Sequence, residues 1–150
     1  MSRDPFMFSK PELIQLFKER CKKELNLLVI ITSVDRTKDE QLALFTQGRH
    51  SLDEVNAQRK HAGYPPITEQ KNKIVTWTLD SKHIPDEVTG KCEAFDFAVI
   101  RDSKMIWDVK ADTNESGTSD YLECGVVAES LGLRWGGRFR NPDNCHVETV

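Results

Sequence analysis

Hydrophobic residues recur at helical spacing in four stretches of the chain, and each stretch opens on residues typical of a helix N-terminus. Ser9 with Glu12, and Thr37 with Glu40, are spaced as capping boxes, in which each side chain hydrogen-bonds the backbone N–H of the other residue. Glycines at 48, 63 and 132 follow three of the stretches, as glycine commonly does at a helix end. The pattern predicts four helices, at about 10–25, 37–48, 51–63 and 118–132.

Five shorter runs are rich in β-branched and aromatic residues and predict strands. Residues 27–32 lack polar alternation, which is typical of a strand buried on both faces. The predicted strands are 27–32, 74–78, 94–100, 104–107 as a hairpin partner, and a short last strand over 146–148. Because helices and strands interleave without a regular repeat and hairpin signals outnumber crossovers, the fold class predicted is α+β.

Composition narrows the possible partners. A chain of 150 residues with 38% hydrophobic residues is expected to form one domain, 1–150, around one core. The net charge of −3 gives no field that concentrates phosphates, so nucleic acid is not expected to bind.

The sequence also indicates the compartment. The four cysteines form no C-x-x-C pair, which favours reduced thiols. The N-terminus lacks a signal-type apolar run and no stretch reaches the roughly 20 apolar residues of a membrane span. Synthesis in the cytoplasm without membrane insertion is expected.

Three residues form a candidate metal site. His83 follows the predicted strand 74–78, Asp96 lies inside the next strand, and His146 opens the last one. Two imidazoles and a carboxylate are the three protein ligands that catalytic zinc takes, with the fourth position left to water. Taken singly, each histidine can also be an ordinary surface residue and Asp96 a satisfied core carboxylate. A carboxylate within an apolar strand is costly, however, unless a metal or an ion partner compensates it.

A second carboxylate, Asp143, stands three residues before His146 in a stretch where Pro142 and two asparagines favour a bent loop. Beside a zinc ion, which lowers the pKa of its water to about 7, such a carboxylate is suited to act as the general base. A cap on the turn after Pro142 is the alternative role. Glu148 is a candidate acceptor that orients a metal-binding histidine.

Four motifs in order resemble the D-Ala-D-Ala metallopeptidase family, which includes VanY-type carboxypeptidases and phage L-alanyl-D-glutamate endolysins. They are Ser81-Lys82-His83, Ala94-Phe95-Asp96-Phe97, Trp135-Gly136-Gly137 and Asp143-x-x-His146-Val147-Glu148. The segment 31–37 with Glu40-Gln41 and Gln47-Gly48-Arg49 also resembles a family segment, so the resemblance spans roughly 27–148. It implies a hedgehog/DD-peptidase-like fold, with a small antiparallel sheet packed against helices and a zinc site at the sheet.

The resemblance also implies roles for single residues. His83, Asp96 and His146 are expected to bind Zn²⁺, and Asp143 to be the catalytic base. The remaining roles are for Arg36 as a catalytic or substrate contact, Ser81 as a hydrogen-bonding support of the site, and Trp135 as part of the cleft wall. A guanidinium at this place is suited to clamp a carboxylate or an oxyanion, and a surface salt bridge is its alternative role. Trp135 can instead pack over the turn formed by its two glycines.

Two features depart from the family pattern. Twelve residues, 84–95, separate His83 from Asp96 where the family usually has six, and this insert is expected to loop out as a rim or lid over the cleft. Val34-Asp35 replaces the usual Gly-Tyr before Arg36, which alters one wall of the substrate pocket.

Together, these observations predict a zinc-dependent hydrolase of the peptidoglycan stem peptide. The preferred activity is that of an L-alanyl-D-glutamate endopeptidase of the phage or prophage endolysin type. It is expected to act as a monomer on the cell wall after release from the cytoplasm, without a separate wall-binding domain. Two alternatives stay open: a D-Ala-D-Ala carboxypeptidase, and a binding module in which zinc is only a structural brace.

Overall fold

The computed structural model describes residues 2–150. It contains four α-helices and five β-strands within that range, together with three short 3₁₀ turns. The helices are α1 (Pro11–Leu25), α2 (Lys38–Thr46), α3 (Leu52–His61) and α4 (Asp120–Ser130). The strands are β1 (Leu28–Ser33), β2 (Ala94–Arg101), β3 (Lys104–Ile106), β4 (Leu133–Trp135) and β5 (His146–Thr149). The α+β prediction is confirmed.

The sheet is antiparallel throughout and runs in the order β1-β2-β5-β4. The longest strand, β2, pairs with β1 along one edge, while β5 and the hairpin partner β3 pair with its first and last residues. Asp96 of β2 lies directly opposite His146 of β5 and Ser33 of β1. Pairing therefore brings residues from the two ends of the chain side by side in the centre of the sheet.

The alternation of side chains along β2 separates the core from the rest of the molecule. Successive side chains of a strand point to opposite faces. Phe95 and Phe97 face α1 and α4, where they meet Phe17 and Tyr121 at ring-centroid distances of 5.1–5.7 Å. Asp96, between them, must face the other way. The helix-covered face therefore holds the hydrophobic core, and the opposite face carries Asp96 and its cross-strand partner His146.

Helix caps explain where the helices begin. Thr37 and Glu40 form the predicted capping box of α2, and Ser51 caps α3 by accepting from the backbone of Glu54. The box predicted for α1 is wrong, because the Ser9 hydroxyl donates instead to the carboxylate of Glu93, at 2.7 Å. Pro11 begins that helix without a side-chain cap, which suits a residue that has no N–H to satisfy.

Two strand predictions are wrong, and one strand was missed. Residues 74–78 form no strand. Their backbone carbonyls accept hydrogen bonds from side chains in and just after α2: Gln41 donates to Thr78 O at 2.6 Å, and Arg49 donates to Thr76 O at 3.0 Å. β1 is not buried on both faces, since half of Leu28 is exposed. The short strand β4, which pairs with β5, was not predicted at all.

The insert after His83 packs against the N-terminal segment. Cys92 is buried and forms an isolated bridge with Phe8, while Lys91 donates to Phe6 O. None of residues 84–95 lines the cleft described below, so the prediction of a rim or lid over it is wrong. No helix within residues 2–150 has the length and apolar character required to cross a bilayer.

Candidate metal centre and active-site cleft

The side chains of His83, Asp96 and His146 converge on the sheet face that lies opposite the hydrophobic core. His83 Nε2 lies 3.1 Å from Asp96 Oδ1 and 3.3 Å from His146 Nδ1. The third side of the triangle, from His146 Nδ1 to Asp96 Oδ1, is 3.2 Å. Three potential ligand atoms from positions up to 63 residues apart thus face one point.

The sheet and one loop set this geometry. Asp96 and His146 are cross-strand partners on neighbouring strands, so their side chains share a face. His83 comes from the loop before β2, where its carbonyl accepts from the Arg36 backbone at 2.8 Å. The hydroxyl of Ser81 accepts from the His83 backbone N–H at 3.2 Å, as expected of a residue that supports the site.

Each histidine is held in one tautomer by an acceptor behind it. His83 Nδ1 donates to the Val34 carbonyl at 2.6 Å, and His146 Nε2 donates to the Glu148 carboxylate at 2.8 Å. In their neutral forms, the lone pairs of His83 Nε2 and His146 Nδ1 then point at each other and at the Asp96 oxygen. Three acceptors aimed at one point need a cation between them. The donor set, two imidazole nitrogens and one carboxylate oxygen, fits zinc.

Charge interactions in this cluster are strong. Burial opposes ionisation of Asp96, but attraction and hydrogen bonds from both histidines outweigh it and hold the pKa of this carboxyl far below its usual value. Burial also opposes charge on His146, yet its bonds to Asp96 and Glu148 raise its pKa to about 9. The surroundings therefore favour the ionised form of Asp96 and a positive charge next to its carboxylate.

Arg36 is a buried part of the site, which excludes a plain surface salt bridge. Its side chain is 9% exposed, and its Nη2 lies 3.5 Å from Asp96 Oδ2, the oxygen that does not face the histidines. Its Nη1 donates to Gln41 Oε1 at 2.7 Å. Gln41 is fully buried and had no predicted role.

Asp143 lies in the loop before β5 and borders the same cleft. Its burial and the neighbouring Asp96 charge raise the pKa of its carboxyl group, while the two histidines partly offset that rise. A carboxyl group with a raised pKa beside a metal site is suited to taking up and returning a proton. Its backbone also fixes the loop, donating to Gly136 O at 2.9 Å and accepting from His146 N at 3.2 Å.

The cleft has a volume of about 900 Å³. Besides the residues above, its walls include Trp77, Met105, Trp107, Phe139 and Arg140. The prediction that Trp135 forms a wall is wrong. Trp135 is 3% exposed and lies against Gly125 and Gly137. Its indole N–H donates to Asn144 O at 2.9 Å, so the side chain packs beneath the loop that carries Asp143 and stabilises it.

The remaining histidines and the cysteines are not potential ligands of this centre, although Cys145 borders the cleft. His50 and His61 are exposed and lie beside Glu54 and Asp39. All four cysteines are free thiols, and none belongs to a potential metal-binding group among residues 2–150.

Comparison with known proteins agrees with the fold and with the residue pattern. The sequence model of a family described as D-alanyl-D-alanine carboxypeptidase matches residues 91–149, which include Asp96, Asp143 and His146. Peptidoglycan L-alanyl-D-glutamate endopeptidase CwlK of Bacillus subtilis (strain 168) is 31% identical over 124 residues. That match covers 81% of this chain and 60% of the length of CwlK.

A solved structure has the same fold. The crystal structure of the L-Ala D-Glu endopeptidase ChiX of Serratia marcescens matches with a TM-score of 0.52 at 14% identity, covering 93% of this chain and 79% of that one. The fold and the three converging side chains define a class of α+β proteins with a small antiparallel sheet and a potential His–Asp–His metal centre. Within that class, the chain belongs to the D-Ala-D-Ala metallopeptidase family.

Proposed function

We propose that the protein is a zinc-dependent peptidase that cleaves the L-alanyl-D-glutamate bond of peptidoglycan stem peptides, in the manner of a phage or prophage endolysin. The observation that carries this proposal is the convergence of His83 Nε2, Asp96 Oδ1 and His146 Nδ1 beside Asp143 in one cleft. CwlK, a relative described as an L-alanyl-D-glutamate endopeptidase, supports the choice of bond. The chain spans about 60% of CwlK, so activity and substrate are carried over as proposals.

The three ligand residues would hold the ion through the atoms that already face one another. A divalent zinc ion there would supply Lewis-acid polarisation of the scissile carbonyl and acidify a water molecule. Asp143 would accept the proton of the attacking water and pass it to the leaving amine, a role that its raised pKa favours. Arg36 holds the second oxygen of Asp96 and borders the cleft, where it would contact a substrate carboxylate or the developing oxyanion.

Replacement of Asp143 separates catalysis from metal binding. For Asp143→Ala we expect one zinc per chain to remain, while hydrolysis of purified peptidoglycan falls by about 10²-fold or more, the usual contribution of a general base. Asp102→Asn, at the exposed tip of the β2–β3 hairpin, is the matched control and should leave both quantities unchanged. Unchanged wall hydrolysis by Asp143→Ala would show that the base is wrongly assigned.

A D-Ala-D-Ala carboxypeptidase is the second candidate, because the matching family carries that description. Digestion of purified walls followed by end-group analysis distinguishes the two reactions. New L-Ala carboxyl ends and new D-Glu amino ends are expected for the endopeptidase. Release of free D-Ala without those ends would refute the proposed bond and support the carboxypeptidase.

A binding module braced by structural zinc is disfavoured by the ligand count. Structural zinc sites are normally closed by four protein ligands. Within residues 2–150 the potential metal group at this site contains three, so a coordination position is left for water or substrate. Metal analysis and assay before and after chelation test the point, because a module without activity would show no hydrolysis in either state.

A further inference from the structure

We propose a second metal site, specific for Ca²⁺, in the loop 112–123 between β3 and α4. Carboxylate oxygens of Asp112, Asp120 and Glu123 lie within 4.8 Å of one another there. These three residues have no part in the His83 site. An all-oxygen ligand set is the kind that Ca²⁺ prefers, whereas the histidine-containing centre suits zinc. This proposal does not depend on the proposed peptidase activity.

The amino-acid sequence of the loop is an independent observation that points to the same ion. Calcium loops of twelve residues supply ligands from positions 1, 3, 5, 7, 9 and 12, with glycine at position 6 and a bidentate glutamate at position 12. Counting from Asp112, every one of these positions carries an oxygen ligand or the required glycine. The residues are Asp112, Asn114, Ser116, Gly117, Thr118 through its carbonyl, Asp120 and Glu123. Three acidic residues gathered by chance would not also bring the glycine and the neutral ligands into register.

The structure shows a loop already folded around a common centre. Gly117 has a φ of +90°, a conformation that glycine adopts freely, and its N–H donates to Asp112 Oδ2 at 2.8 Å. The Ser116 hydroxyl donates to Glu123 Oε1 at 2.5 Å, and the Asn114 amide nitrogen donates to the same oxygen at 3.2 Å. Side chains from the beginning, middle and end of the loop therefore lie close together.

Electrostatics favours a cation at this centre. Asp120 is completely buried, and its carboxylate accepts hydrogen bonds from the backbone and hydroxyl of Thr113, which are neutral donors. Among residues 2–150, no lysine, arginine or histidine forms an ion pair with Asp112, Asp120 or Glu123. Converging carboxylates repel one another unless a positive charge lies between them. Calcium would supply that charge.

The position of the loop gives the ion a structural consequence. The loop leads from the cleft residue Trp107 to the first turn of α4, and Asn114 donates to Leu25 O at the end of α1. Calcium would therefore tie together the two helices that cover the sheet and one wall of the cleft. The flanking element on the N-terminal side is a strand, so the loop is not enclosed between two helices.

Thermal unfolding of the chelator-treated full chain, with calcium chloride alone as the probe, tests the site. A ligand at about 100 times its Kd stabilises enough to raise the Tm of a chain this size by about 5–10 °C. We expect such a shift at about 10 mM Ca²⁺, a concentration about 100 times the Kd of a weak extracellular site. Isothermal titration should give one calcium per chain. No shift and no binding heat would overturn the proposal, and so would an equal shift with Mg²⁺.

Variants locate the ion. Glu123→Gln, or Asp112→Asn if the first does not fold, should lose the calcium-dependent shift. Asp86→Asn should keep it, since Asp86 closes another loop by accepting from Val88 N and Thr89 N. Asp96→Asn should also keep it. A shift that survives in Glu123→Gln and Asp112→Asn but disappears in Asp96→Asn would place the ion at the histidine site and refute this one.

Discussion

Gly136 is the residue whose replacement should most directly connect packing with metal binding. A Cβ added there would lie 3.0 Å from His146 Cβ and 3.2 Å from His146 O, and closer still to the carbonyl oxygen of Asp143. Ordinary contacts begin at 3.4 Å, so His146 must move by about 0.4 Å and the Asp143 carbonyl by more. Gly136→Ala therefore displaces one proposed ligand and the proposed base together.

The cost follows from these contacts. Overpacking of this kind costs about 1–3 kcal/mol, and weakening the bond from His146 N to Asp143 O adds about 1 kcal/mol. A total of about 2–4 kcal/mol lowers the Tm of a chain this size by about 5–15 °C. Displacement of catalytic groups by up to about 1 Å should lower kcat/KM by about 10²-fold.

Three measurements on Gly136→Ala decide the matter: Tm, zinc affinity by chelator competition, and peptidoglycan hydrolysis. Gly132→Ala is the control, because its Cβ would meet no atom within 4 Å and only the positive φ of +81° makes the substitution costly. Gly132→Ala should lose stability while retaining most of its zinc affinity. If Gly136→Ala keeps wild-type stability and zinc affinity, or if Gly132→Ala loses the same zinc affinity, the reasoning is wrong.

Two further substitutions test single contacts. Glu148→Gln removes the anionic acceptor of His146 Nε2–H and should weaken zinc binding about 10–100-fold, measured by chelator competition. Glu93→Gln, just before β2, is its control, because Glu93 accepts from Thr149 and not from a histidine. Equal affinities in the two variants would contradict a role for Glu148. Thr37→Ala removes the cap of α2 and should cost about 1 kcal/mol, seen as a fall in Tm of about 2–4 °C; an unchanged Tm would mean that the capping box does not stabilise the helix.

Local signals predicted the elements that depend on local contacts. The capping box of α2 and the strand β2 depend on neighbours in sequence, so the pattern alone predicted them. Residues 74–78 have the composition of a strand, but their hydrogen-bond partners are side chains of Gln41 and Arg49, more than 25 residues away. The missed strand β4 has three residues, too few for a periodic pattern to be visible.

The candidate site likewise contains residues that the sequence predicted and a contact that it could not predict. His83, Asp96 and His146 were singled out by residue type and by resemblance, and the structure brings them together. The acceptor that fixes the His83 tautomer is the backbone carbonyl of Val34, and a carbonyl has no signature in the sequence. Val34-Asp35 in place of the usual Gly-Tyr therefore keeps the hydrogen bond to His83, because a backbone carbonyl accepts it whatever side chain the residue carries.

The alternation along β2 also determines where this chain tolerates changes in length. One residue added within β2 would rotate every later side chain to the opposite face, so phenylalanines would reach the cleft and Asp96 or its neighbours would enter the core. The connection before the strand has no such alternation to preserve, and its residues 86–91 are exposed. Changes in chain length that leave the site intact should therefore fall within 86–91, and not within the strand.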